Sequence, residues 1–186
     1  MRFKPLRFAA QSGAALLTLL GCPLLPGGAA QACEAEARPI FSCEAAGGRK
    51  FIELCAAGEP GISALQYRFG AQAAEGGDGK VELVFPAEQS GSLRHFLGAV
   101  YSHRGIYTQS VRFKSAGFSY TVFTRSWRDA DSAEGMAGGA GVTVRNLRTG
   151  KATTVDCSER PRFYIFELQG VLACDPETPV GKACIK

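Results

Sequence analysis

Six cysteines, Cys33, Cys43, Cys55, Cys157, Cys174 and Cys184, stand in two groups of three with none between Cys55 and Cys157. An odd number at each end means that complete pairing requires at least one bridge joining the two ends of the chain. Any fold must therefore bring the N-terminal and C-terminal segments together. Six cysteines allow 15 pairings, so the connectivity stays open; local bridges within each end, such as Cys174 with Cys184, are one expectation. Zinc ligation is the rival reading. It is disfavoured because the short paired spacings and nearby histidines of structural zinc sites are missing.

A seventh cysteine, Cys22, lies in a leading segment with its own logic. Arg2, Lys4 and Arg7 form a basic start, an apolar stretch follows from Ala14 to Leu25, and Ala30-Gln31-Ala32 supplies small residues before Cys33. This order is that of a secretory signal peptide over residues 1–32. Pro23 and Pro26 break the apolar stretch short of the roughly 20 residues of a spanning helix, so no membrane span is expected in the mature chain. Cleavage before Cys33 leaves residues 33–186 as one domain-sized chain with an even cysteine count, which suits an oxidising compartment, periplasmic or secreted. Leu19-Leu20-Gly21-Cys22 also resembles a lipobox, and processing there would instead anchor the protein through Cys22. The formal net charge of +4 falls to about +1 once the three basic residues of the leader are gone. Charge thus gives no support to nucleic-acid binding.

Hydrophobic residues alternate with period two over most of the mature chain, the signature of half-buried strands. Leu65, Tyr67 and Phe69 share one face, as do Val81, Leu83 and Phe85, and again Tyr107, Val111 and Phe113. Turn chemistry separates these runs at Gly47-Gly48, Gly76-Gly77-Asp78-Gly79, Ser115-Ala116-Gly117 and Arg148-Thr149-Gly150. The pattern predicts an all-β, mainly antiparallel sandwich or small barrel of seven or eight strands. A short helix is expected around 92–100, a strand or helix over 163–172, and an exposed loop over 129–141. The alternating aromatics, Tyr107, Phe118, Tyr120 and Phe123 among them, are expected in the core.

No catalytic fingerprint is present, and His95 and His103 stand in no ligand or acid-base pattern. A non-enzymatic protein without cofactor or metal is the expectation, with an unrecognised hydrolase using either histidine as the alternative. Asp129, Asp131 and Glu134 offer oxygens to a hard cation but lack the EF-hand order. The most concentrated recognition feature is Arg125-Ser126-Trp127-Arg128, which holds the single tryptophan; Trp and Arg are the types most enriched at binding hot spots.

Two resemblances add to this reading. Ser115-Ala116-Gly117-Phe118-Ser119-Tyr120 resembles the S-G-x-x-Y loop of bacterial periplasmic lysozyme inhibitors, departing from it at Ala116. That similarity implies a loop inserted into an enzyme cleft, with Ser115, Gly117 and Tyr120 as contacts and a cell-wall hydrolase as partner. More broadly, segments such as Ile40-Phe41-Ser42-Cys43 and Gly141-Val142-Thr143-Val144 are similar to small exported proteins of Gram-negative bacteria. This second likeness implies a compartment and no activity.

Overall fold

A computed structural model describes residues 33–34, 36–72 and 79–185. The leader, Cys22 and most of the turn at 76–79 lie outside the described residues. Two sheets pack face to face. The first contains β1 (Ala37–Ala45), β2 (Lys50–Ala57), β3 (Ala64–Ala71), β4 (Lys80–Phe85) and the two-residue β10 (Arg162–Phe163), in the order β10-β1-β2-β3-β4. The second contains β5 (Phe96–His103), β6 (Ile106–Ser115), β7 (Phe118–Arg128), β8 (Met136–Asn146), β9 (Ala152–Asp156) and the two-residue β11 (Ala173–Cys174), in the order β11-β5-β6-β7-β8-β9. All pairings are antiparallel except that of β11 with β5. The expected all-β architecture is a sandwich of two sheets and not a closed barrel.

Alternation places the core between the sheets. Ile52 and Leu54 of β2 and Leu65 and Tyr67 of β3 meet Val111 and Phe113 of β6, Val122 of β7 and Val142 of β8. Phe113 is the centre of this layer. Its ring stacks on Phe85 at 4.7 Å and on Tyr120 at 4.8 Å, and it meets Tyr67 at 4.9 Å. Such offset contacts add about 0.5–1.5 kcal/mol each to the burial of the rings.

Two tight hairpins set the register of the second sheet. Arg104 and Gly105 (φ 51 and 79) join β5 to β6, and Ala116 and Gly117 (φ 46 and 81) join β6 to β7. Positive φ at both central residues matches the twist of the flanking strands. It also costs Arg104 and Ala116 some strain that glycine would avoid.

Three expectations from sequence are corrected. The helix around 92–100 is a single 3-10 turn, Ser92–His95, followed by β5. Apolar residues fall on both faces of β5 because Ala99 is buried on one side while on the other a Cβ at Gly98 would stand 2.6 Å from Ile185. The stretch 163–172 contains the end of β10 and a second 3-10 turn, Ile165–Leu168. The loop over 129–141 stops at Gly135, and Met136–Gly141 belongs to β8. Glycines are accepted in that strand where other backbone comes close: a Cβ at Gly138 would lie 2.9 Å from the Arg125 carbonyl oxygen.

All six cysteines are paired, as Cys33–Cys55, Cys43–Cys157 and Cys174–Cys184. Cys43–Cys157 joins β1 of one sheet to the end of the β9 segment of the other and is the bridge that the three-and-three distribution requires. Among the described residues no helix is long and apolar enough to cross a membrane.

One buried charge has a measurable consequence. Glu53 of β2 is 5% exposed and faces Arg68 of β3 with 3.8 Å between Oε2 and Nη1. Burial pushes its carboxyl up from 4.5 to about 7, with Arg68 opposing in part. Between these two values the folded chain holds a proton that the unfolded chain has released, so stability falls as pH rises through this window and is level on either side. The expected loss is on the order of 1–2 kcal/mol. Urea midpoints at pH 5 and pH 7.5 measure it, and Glu53→Gln should remove this component of the slope.

Candidate functional site

The residues nominated from sequence divide between opposite ends of one long hairpin. Ser115 pairs with Phe118 at the closed end of β6–β7, and Ile106 pairs with Trp127 at the other. At about 3.3 Å per residue the two ends are some 30 Å apart. Ser115, Gly117 and Tyr120 therefore do not join Arg125, Trp127 and Arg128 in one patch.

The closed end exposes Ala116 and Gly117 at its tip and turns the rest of the motif toward the sheet. Its turn has two residues, Ser119 is buried, and Tyr120 points inward, stacked on Phe113 and 6.1 Å from Tyr67. Burial raises the Tyr120 hydroxyl above its ordinary value. The segment that resembles an inhibitor loop is here a strand-turn-strand closure whose tyrosine packs in the sandwich.

At the other end, the strands carry a different set of side chains on the face away from the core. Trp127 (36% exposed) and Ile106 are cross-strand neighbours. Around them stand Arg104 from the β5–β6 turn and Arg125 from β7, and with Arg128 at the end of that strand, where it follows Trp127 and alternates to the other face, these residues line an open hollow of about 640 Å³. The Arg125 guanidinium lies 4.1 Å over the Phe123 ring. Phe123 falls in register with Ser110 on one side and Gly141 on the other, both too small to crowd it. No carboxylate of the described residues lies within salt-bridge distance of Arg104, Arg125 or Arg128, whereas Arg38 and Arg160 each have one and Arg112 has two. The arrangement presents positive charge around an apolar centre.

The core-side face of the same strands runs past the packed region. Tyr107 shares the face of Val111 and Phe113 yet is 43% exposed, which corrects its expected place in the core. It lies in a cleft of about 580 Å³ with Gln109, Met136 and Phe163, floored by Thr124, Ser126 and Gly138. Gln109 Nε2 donates to the Tyr107 hydroxyl at 3.2 Å. Arg160 and Glu134 pair at 3.0 Å at its margin.

The remaining candidates are dispersed. His95 meets the Phe85 ring edge-on at 5.8 Å, while His103 sits at the far end of β5. Asp129 accepts from the Asp131 amide, and Glu134 is engaged by Arg160, so these three acids do not converge on a cation. Among the described residues, the one group of three side chains of ligand type that come together is Cys33, Glu53 and Cys55, and its two sulfurs are joined in a disulfide and so are not metal ligands.

Arg104 and Ile106 are the members of the exposed patch that the sequence did not nominate. The His103-Arg104-Gly105-Ile106 run carries the signal of a two-residue hairpin, and a hairpin there would have placed Ile106 beside the strand holding Trp127. Compared with known proteins, the chain matches no protein family, no curated protein and no solved structure.

Proposed function

We propose that this chain is an exported, non-enzymatic binding protein that recognises an acidic surface on a protein partner through the Arg104, Ile106, Arg125, Trp127 and Arg128 end of its second sheet. The observation that carries this reading is the convergence of three arginines without acidic partners on an exposed Trp–Ile pair. An apolar centre with a charged rim is the anatomy of protein interfaces, and Trp and Arg dominate their energetics. Three disulfides fit an oxidising compartment and support export. The partner class we put forward is a cell-wall hydrolase, engaged by the Trp127 end and not by the Ser115–Tyr120 turn. Mass spectrometry of the mature N-terminus separates cleavage before Cys33 from lipidation of Cys22.

The mature chain, titrated against a panel of lysozymes and other cell-wall hydrolases, is expected to bind at least one with a micromolar or tighter Kd. Trp127→Ala and Arg125→Ala should each weaken that binding by about 30-fold or more, the scale of a hot-spot residue. Tyr120→Phe should leave it unchanged, and added salt should slow association. Absence of binding or inhibition across the panel at micromolar concentration overturns the partner class. Binding that survives both substitutions overturns the site.

A further inference from the structure

The Cys33–Cys55 disulfide has a carboxyl group as a close neighbour. Glu53 and Cys55 are two residues apart on β2 and therefore share a face. A Glu53 oxygen and the two sulfurs all lie within 4.8 Å of one another. Glu53 Oε2 is buried and has no hydrogen-bond partner, so the carboxyl that neighbours the bridge keeps part of its bonding capacity unspent. The charged group facing Glu53 is Arg68 on β3; its register partner on β1 is Ser42, which carries no charge. No comparable carboxyl accompanies Cys174–Cys184 among the described residues.

We propose that Cys33–Cys55 is a reactive disulfide and that Glu53 is the acid that protonates the sulfur released when an external thiol attacks it. Cys33 is the less buried of the two cysteines, 9% exposed against 3%, and the attack is assigned to its sulfur. The incoming thiolate forms a bond to Cys33 Sγ, the Cys33–Cys55 bond breaks, and its electron pair goes to Cys55 Sγ. The Glu53 carboxyl proton passes to that sulfur, leaving a carboxylate facing Arg68. The attacking thiol is oxidised into the mixed disulfide, and Cys55 is reduced to a thiol. A thiolate stranded in a buried site is costly, so a proton source within reach lowers the barrier where an exposed bridge would need none. A carboxyl that still holds its proton near neutrality suits the task, and once ionised it repels both the attacking and the departing thiolate.

The test is reduction of the mature protein by dithiothreitol from pH 6 to pH 8, with timed alkylation and peptide mass mapping to follow each bridge. Expressed per reductant thiolate, the rate at Cys33–Cys55 is expected to fall about tenfold over this range in the native protein. It should be flat in Glu53→Gln and flat at Cys174–Cys184 in both. Should Glu53→Gln fold poorly, Glu53→Asp keeps the carboxyl and should retain a pH dependence. Identical profiles in native and Glu53→Gln overturn the proposal. So does reduction at a rate independent of dithiothreitol concentration, which would mean that the bridge opens only on unfolding.

Discussion

Replacing Cys43 and Cys157 together by serine is expected to destabilise the mature domain by about 4–5 kcal/mol, the largest effect of removing any one of its three bridges. The sequence separation of this pair is 114, against 22 for Cys33–Cys55 and 10 for Cys174–Cys184. The longer the loop closed, the more conformational freedom the bridge removes from the unfolded chain. Cys43–Cys157 also works within the folded state, because it fastens one sheet to the other. Beside it Ala45 bridges to Cys157, and the Ser158 amide donates to the Glu44 carbonyl at 2.7 Å. Domains of this size have roughly 5–15 kcal/mol of stability in total, so the double serine variant should stand near the edge of folding. Guanidinium unfolding of the native protein, of Cys43→Ser/Cys157→Ser and of Cys174→Ser/Cys184→Ser measures the ranking. An equal loss in the two variants would show that loop length does not govern how these bridges stabilise the domain.

The requirement for a bridge between the ends was legible in the sequence because it follows from counting, and the local Cys174–Cys184 pair was legible because only short chain separates its members. Strands β3, β4 and β6 were legible because each has one apolar and one polar face. β5 was not, since Gly98 admits the Ile185 and Leu172 side chains on one face while Ala99 is buried on the other, which erases the alternation. β8 was hidden by glycines, of which Gly138 and Gly141 admit neighbouring backbone, a reason that appears only once the neighbours are in place. The site was legible in part. Trp127 and the arginines around it were nominated by residue type, but their association with Arg104 and Ile106 depends on hairpin register. Tyr107 shows the limit of pattern: it obeys the alternation of β6, yet its segment of strand extends past the packed core, and where the packing ends is not written in β6. Tyr120 shows the converse, a motif-like residue whose inward direction is set by its pairing with Phe113 and Val144.

The second large effect is expected at the ion pair that holds the C-terminal segment. Arg112 and Asp175 are 4% and 2% exposed, and the guanidinium donates to both carboxylate oxygens, Nε to Oδ2 at 2.7 Å and Nη2 to Oδ1. Asp175 also accepts from the Glu177 amide at 2.8 Å, and its own amide donates to the Gly98 carbonyl at 3.0 Å. Glu177 completes the group, 3.1 Å from Arg112 and 2.8 Å from Lys114, and the bond from Lys114 holds its carboxyl below the usual range. Asp175 thus ties the segment after β11 to β6, which lies two strands in from that edge of the sheet. Asp175→Ala should cost about 3–5 kcal/mol, because it leaves the Arg112 charge buried with only the exposed Glu177 to answer it. Removing both charges should cost less than removing one: Arg112→Met with Asp175→Ala is expected to be more stable than Asp175→Ala alone. Urea unfolding of the two single variants and the double variant closes the cycle. A loss below about 1 kcal/mol for Asp175→Ala would mean that water reaches Arg112 as soon as its partner is gone, and that the C-terminal segment is held by the Cys174–Cys184 loop and Ile185 instead of by charge.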